Sequence, residues 1–251
     1  MKPFRRYLVG IQYDGTNYSG WGLNYEANLP SVHAVVCSAL EKFVGGSAYF
    51  TNFKGSSRTD AGVHAIRNTF HVDILRRRAN ARVIEKSGEE DSIYFDPNDL
   101  RMGLNFFLES RKSCIHITDV QVVPNSFDSR RDAIARTYMY RIIGPIDSSS
   151  RAEDMSIFHF KKALLLTYPL QLDKMQLAGQ YLLGEHDFSS FRSSDCQSKS
   201  PVKNIQEIQL VSNVEKDNWQ GNESDPSNVL NLMVFFFNIP KRSINFNAVL
   251  D

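Results

Sequence analysis

The sequence predicts an α+β fold: two successive βαββαβ halves whose strands form a continuous, mostly antiparallel sheet flanked by helices. Three observations carry this. Strand-length segments of alternating polarity recur along the chain. Two helix-length segments follow residues suited to capping. The second half opens with the same order of elements as the first.

The first predicted strand runs from Phe4 to Gln12. A turn-rich segment follows, Tyr13-Asp14-Gly15-Thr16-Asn17-Tyr18-Ser19-Gly20, whose Asp-Gly and Ser-Gly pairs break regular structure. Ser31 is an N-cap for a helix reaching about Val44, and Gly45-Gly46 stops it. Strands are expected over Tyr49–Lys54 and Thr69–Leu75, with a charged loop from Arg76 to Asp91. Asp96 caps the next helix, Pro97 sits in its first turn, and Leu100, Leu104, Phe107 and Leu108 form its apolar face. Cys114–Val123 completes a βαββαβ order, the ferredoxin-like arrangement.

The second half reads as a strand over Ile134–Ile143 and an amphipathic helix over Asp173–Leu183 ended by Gly184. Strands over Val202–Val211 and Val229–Phe237 follow. As a repeat it is one helix and one strand short, and a strand as apolar as Leu230, Leu232, Val234 and Phe236 needs a cover. The expected domains are 1–125 and 126–251, and the serine-containing loop Asp147–Asp154 is a further candidate boundary.

Composition excludes several classes. The chain has 251 residues, 42% hydrophobic and 23% charged, which suits a globular protein with a sizeable core. Its longest apolar run, Leu232–Phe237, is far below the roughly 18 residues that cross a bilayer. Lys2, Arg5 and Arg6 lead straight into the first strand, so a secretory segment is not expected and the protein reads as intracellular. Cytoplasm, nucleus and mitochondrion stay open. Cys37, Cys114 and Cys196 form neither a CxxC pair nor a zinc pattern, so they read as buried or reduced thiols. The net charge of +1 does not point to nucleic acid. Its distribution allows it: Arg76–Arg78, Arg130-Arg131, Arg136 and Arg141 are basic, and Glu215–Asp225 is an acidic loop.

The segment richest in chemistry is Ser56-Ser57-Arg58-Thr59-Asp60-Ala61-Gly62-Val63-His64-Ala65. It reads as a strand leaving its sheet into a glycine-containing turn. Arg58 and Asp60 are two apart and share a side if the backbone stays extended. A carboxylate beside a guanidinium stays ionised, which suits a nucleophile or base. The same spacing also fits a plain surface ion pair worth about 0–1 kcal/mol.

This ten-residue string resembles the signature of the TruA-type tRNA pseudouridine synthases along its whole length. Other segments are similar to that family in the right order. They are Tyr13-Asp14-Gly15-Thr16 with Tyr18, Gly20 and Trp21; then Phe127, Arg130, Ala133, Arg136, Tyr138 and Tyr140; then Leu182 to Phe191. The resemblance spans about residues 4 to 211. It implies isomerisation of uridine to its C-glycoside in tRNA, often in the anticodon stem-loop, without metal or organic cofactor. It makes Asp60 the essential aspartate, lets Arg58 fill the space left by a flipped base, and makes Tyr138 the aromatic that stacks on the target uracil. Tyr18, His64, Arg136 and Arg141 are expected to touch RNA; His64 also reads as a residue that orders its turn, and Tyr140 as core. Many such relatives are homodimers, so self-association is an expectation too.

Two departures from the family pattern stand out. Gly22 follows Trp21 where glutamine is common, and the first helix opens Val32-His33 rather than Val-Gln. The family also continues past its last strand with a Met-Val-Arg-like segment, whose basic residue pairs with the aspartate. Here the strand leads into Asn238-Ile239-Pro240-Lys241-Arg242-Ser243, which does not match. Three readings follow: an active synthase, an RNA-binding isoform without the chemistry, and an unrelated nucleoside hydrolase.

Overall fold

A computed structural model describes residues 4–22, 28–75, 94–145, 161–192, 200–215 and 229–238. The loops expected over Arg76–Asp91, Asp147–Asp154 and Glu215–Asp225, together with Cys196 and the segment Ile239–Ser243, lie wholly or almost wholly outside these residues. The chain divides into two compact units, 1–133 and 134–251. Residues 127–132, read from the sequence as part of the second half, are thus part of the first unit.

The first unit contains β1 (Arg5–Tyr13), α1 (Val32–Val44), β2 (Phe50–Gly55), β3 (Ala65–Ile74), α2 (Pro97–Ser110) and β4 (Ile115–Val123). The strand order is β2-β3-β1-β4, with every neighbour antiparallel. That is the ferredoxin-like order expected for this half. Alternation along β1 buries Tyr7, Val9 and Ile11. They join Val32, Val36, Ala39, Leu40 and Val44 of α1 and Leu100, Leu104 and Leu108 of α2 in one core. Both caps form as their residues dictate: Ser31 Oγ accepts from Ala34 N–H at 3.1 Å, and Asp96 Oδ1 from Asn98 N–H at 2.8 Å. Gly45 ends α1 at φ 89°.

The β1–β4 ladder shifts register between Gly10 and Ile11. The buried amide of Asn105 on α2 donates to Ile117 O at 3.0 Å and accepts from Ile117 N–H at 2.8 Å, meeting both backbone groups of that residue of the edge strand.

The second unit contains β5 (Arg136–Pro145), β6 (Leu164–Leu165), α3 (Leu172–Gln180), β7 (Gly184–Asp187), β8 (Val202–Glu215) and β9 (Val229–Asn238). Its sheet runs β6-β5-β9-β8-β7. The run β5-β9-β8 repeats the pairing of β1-β3-β2, so the repeat read from the sequence holds over three strands. Leu232 and Val234 of β9 are buried with Leu170, Leu172, Met175, Ile208 and Leu210 around them, which supplies part of the cover their strand requires.

The described strands pair as a four-stranded sheet in the first unit and a five-stranded sheet in the second. Some expectations are corrected. β6 and β7 were not expected, because strands of two and four residues carry too little alternation to be read. β6 pairs parallel to β5, at the edge where the first sheet has the antiparallel β4. Tyr140 is 61% exposed and is not core. The missing helix and strand concern residues past 238, outside the described ones. Among the described residues no helix is long and apolar enough to cross a membrane.

Candidate active site

The Asp60 loop connects β2 to β3, residues 56–64. Its stem is fixed first. Ser56 N–H donates to Thr69 O at 2.8 Å, and Ser56 Oγ donates to Asn68 Oδ1 at 3.0 Å. The Asn68 amide in turn donates to Ser57 O at 3.2 Å. Asn68 is buried, so the two bonds to Ser56 and Ser57 satisfy its amide oxygen and amide N–H away from bulk water.

The tip is held by the turn that follows β1. Trp21 N–H donates to Thr59 O at 3.0 Å, and Gly62 N–H donates to Tyr18 O at 3.1 Å. The Tyr13 and Thr59 hydroxyls bond at 2.9 Å. Val63 N–H closes the turn on Asp60 O at 3.2 Å. Two glycines allow the two loops to nest. A Cβ on Gly15 would sit 2.0 Å from Val63 O, and one on Gly20 would sit 2.2 Å from Thr59 O. Beneath them Trp21 is buried among Tyr13, Phe53 and Phe70, with ring centroids 5.9–6.3 Å away. His33, one of the departures from the family pattern, meets Phe53 edge-on at 4.5 Å, a packing role.

On this frame Asp60 and Arg58 are both exposed. Among the described residues they form no ion pair with each other, so the pairing read from their spacing is not made. The Asp60 side chain reaches water from a backbone tied at both ends, an arrangement open to a substrate and fixed in position. His64 Nδ1 lies 3.0 Å from Asp14 Oδ1 and accepts from Gly15 N–H at 3.2 Å. It orders the junction of the two loops, one of the two roles read for it. Tyr18, expected to touch RNA, is only 6% exposed and belongs to the core. Its contribution is the carbonyl that holds Gly62.

The sequence singled out no role for Tyr13, Thr59 or Asn68, although Tyr13 and Thr59 fall within the motifs quoted above and Asn68 follows the second by three residues. Among the described residues no group of three or more His, Cys, Asp or Glu could hold a metal ion. The Cys37 thiol is pushed up to about 11, by burial first and by Glu41 second, so it is a poor nucleophile or ligand.

In the second unit, Arg136, Tyr138 and Tyr140 alternate along β5 and share one face, while Arg141 lies on the other. The ladder with β9 runs without a register shift, pairing Tyr138 with Phe236 and Tyr140 with Val234. Tyr138 is 47% exposed. The strand therefore groups Arg136 with Tyr138 and separates Arg141 from both.

A family model described as tRNA pseudouridine synthase matches residues 178–235. The tRNA pseudouridine synthase A of Nitrobacter winogradskyi is 34% identical over 208 residues, 83% of this chain and 69% of that protein. That of Rhodopseudomonas palustris is 34% identical over 206 residues, covering 82% and 71%. The similarity thus extends well beyond the ten residues around Asp60, and the family model matches within the second unit.

Proposed function

This chain belongs to the tRNA pseudouridine synthase family, and we propose that within it Asp60 starts the reaction. The reaction is isomerisation of uridine in tRNA to pseudouridine. The bond from N1 to C1′ breaks, the uracil turns, and a bond from C5 to C1′ forms. The C5 proton is released and N1 gains one, so atoms and charge balance.

Breaking an N-glycosidic bond builds positive charge on the sugar, which a carboxylate stabilises or traps. The observation that carries the assignment is an exposed carboxylate on a loop whose neighbour Thr59 is bonded at both its hydroxyl and its carbonyl. Fixing the backbone on both sides reduces what must be ordered as the reaction proceeds. The target nucleotide must leave its stack to reach Asp60. Arg58, two residues away and exposed, fills the vacated space. Tyr138 stacks on the uracil, an interaction worth roughly 1–3 kcal/mol per base. Arg136, on the same face of β5, contacts phosphate. The target uridine lies in the anticodon stem-loop.

The test is tritium release from tRNA transcripts labelled at C5 of uridine. The wild type should release tritium, and Asp60→Ala should lose on the order of 10⁴-fold in rate while still binding tRNA. Undiminished release by Asp60→Ala would overturn the assignment. Binding without release by the wild type would favour an RNA-binding isoform.

A further inference from the structure

We propose that the turn Phe127–Asp132 is a second RNA contact, a phosphate-binding site whose ligands are Arg130 and Arg131. The inference rests on the tRNA-modifying reading above.

Buried polar bonds on the strands that carry the Asp60 loop fasten this turn to the first unit. Ser129 is 2% exposed and its hydroxyl donates to Lys54 O of β2 at 2.7 Å. Its N–H donates to Nδ1 of His71 on β3 at 3.0 Å, and His71 is 3% exposed. Arg6 donates to Phe127 O at 2.6 Å while bonding both carboxylate oxygens of Asp73 at 2.5 and 2.8 Å. Asn52 adds a bond to Asp73 at 2.6 Å. Phe127 adds a ring contact, edge-on to His71 at 6.4 Å. Burying this many polar groups gains little stability over an apolar plug of the same shape, and its attested use is to fix one geometry.

The fixed geometry presents arginines. Asp128 Oδ1 accepts from Arg130 N–H at 2.9 Å and from Arg131 N–H at 3.1 Å, and Asp132 Oδ2 accepts from Asp128 N–H at 2.7 Å. Lys54 Nζ lies 2.7 Å from Asp128 Oδ2. Both carboxylates are thus engaged with backbone N–H groups, and one of them also with a cation. Arg130 and Arg131 are exposed. Neither is in an ion pair among the described residues. Each guanidinium carries forked N–H donors suited to phosphate oxygens, and this hydrogen-bonded turn exposes two of them.

The test measures tRNA transcript binding by the full chain against salt concentration, in an Asp60→Ala background so that turnover does not intervene. Arg130→Gln and Arg131→Gln should each lower the slope of log affinity on log salt by about one, and the double variant by about two. The paired Arg→Lys variant should keep the slope. Melting temperatures should stay at the parent value, since both residues are exposed. A double glutamine variant with the parent's slope and affinity would overturn the site, as would a lysine variant that loses the slope equally. Tritium release by the unmodified enzyme is read in parallel. Release that persists in Asp60→Ala overturns the catalytic reading, whereas an unchanged salt slope overturns this site alone.

Discussion

The hydroxyls of Tyr13 and Thr59 lie 2.9 Å apart, joining the last residue of β1 to the residue immediately before Asp60. Tyr13 is 4% exposed and also receives the Asn68 amide at 3.5 Å, so the candidate catalytic loop is anchored to the core through a phenol. Tyr13→Phe should therefore cost about 1 kcal/mol in stability and lower the rate of tritium release more than it weakens tRNA binding. Denaturant melts and single-turnover rates check both parts. An equal loss in rate and binding would show that the bond does not position Asp60.

Two glycines near Asp60 should respond differently. Gly20 has φ 96°, and a Cβ there would meet Thr59 O at 2.2 Å. Gly62 has φ 77°, with open space around the added atom. Gly62→Ala should cost only backbone strain, about 1 kcal/mol, and Gly20→Ala more than that because the backbone of Thr59 must also move. Thermal melts of the two variants order them.

Tyr138 separates stacking from hydrogen bonding. Tyr138→Phe keeps a flat ring and should retain most activity, while Tyr138→Ala should lose about 1–3 kcal/mol in kcat/KM. Equal losses in the two variants would assign the function to the hydroxyl.

The clasp under Arg130 makes the protein acid-sensitive in two stages. Burial alone would raise the Asp128 carboxyl, but the Lys54 ammonium and the Arg130 and Arg131 N–H groups bring it down to about 2. A carboxyl with a lower pKa folded than unfolded stabilises fully above its unfolded value near 4, and that stabilisation is lost as pH falls through about 2. His71 is depressed first by burial and then by Arg6. Its neutral form is favoured in the fold, so its contribution is complete above about pH 6.5 and declines below it. Melting temperature against pH should fall in both ranges. Asp128→Asn should flatten the lower one and His71→Gln the upper.

Helix α1 supplies a test of a locally encoded feature. Ser31→Ala removes the oxygen that accepts Ala34 N–H, and should cost about 1 kcal/mol in a denaturant melt.

The sequence by itself determined what depends on near neighbours. The Ser31 and Asp96 caps act over two or three residues, the apolar faces of α1 and α2 repeat every three or four, and β1 alternates by two. The motif around Asp60 was legible because a carboxylate, a guanidinium and an imidazole fall within seven residues. Only the tertiary structure decided what joins distant residues: Thr59 to Tyr13 across 46 positions, His71 to Ser129 across 58, and Arg6 to Phe127 across 121. It also buried Tyr18 and exposed Tyr140, which their neighbours in sequence do not distinguish. The physical reason is that a cap or a periodic face is satisfied within its own segment, whereas burial and long-range hydrogen bonds depend on which other segment arrives to cover it.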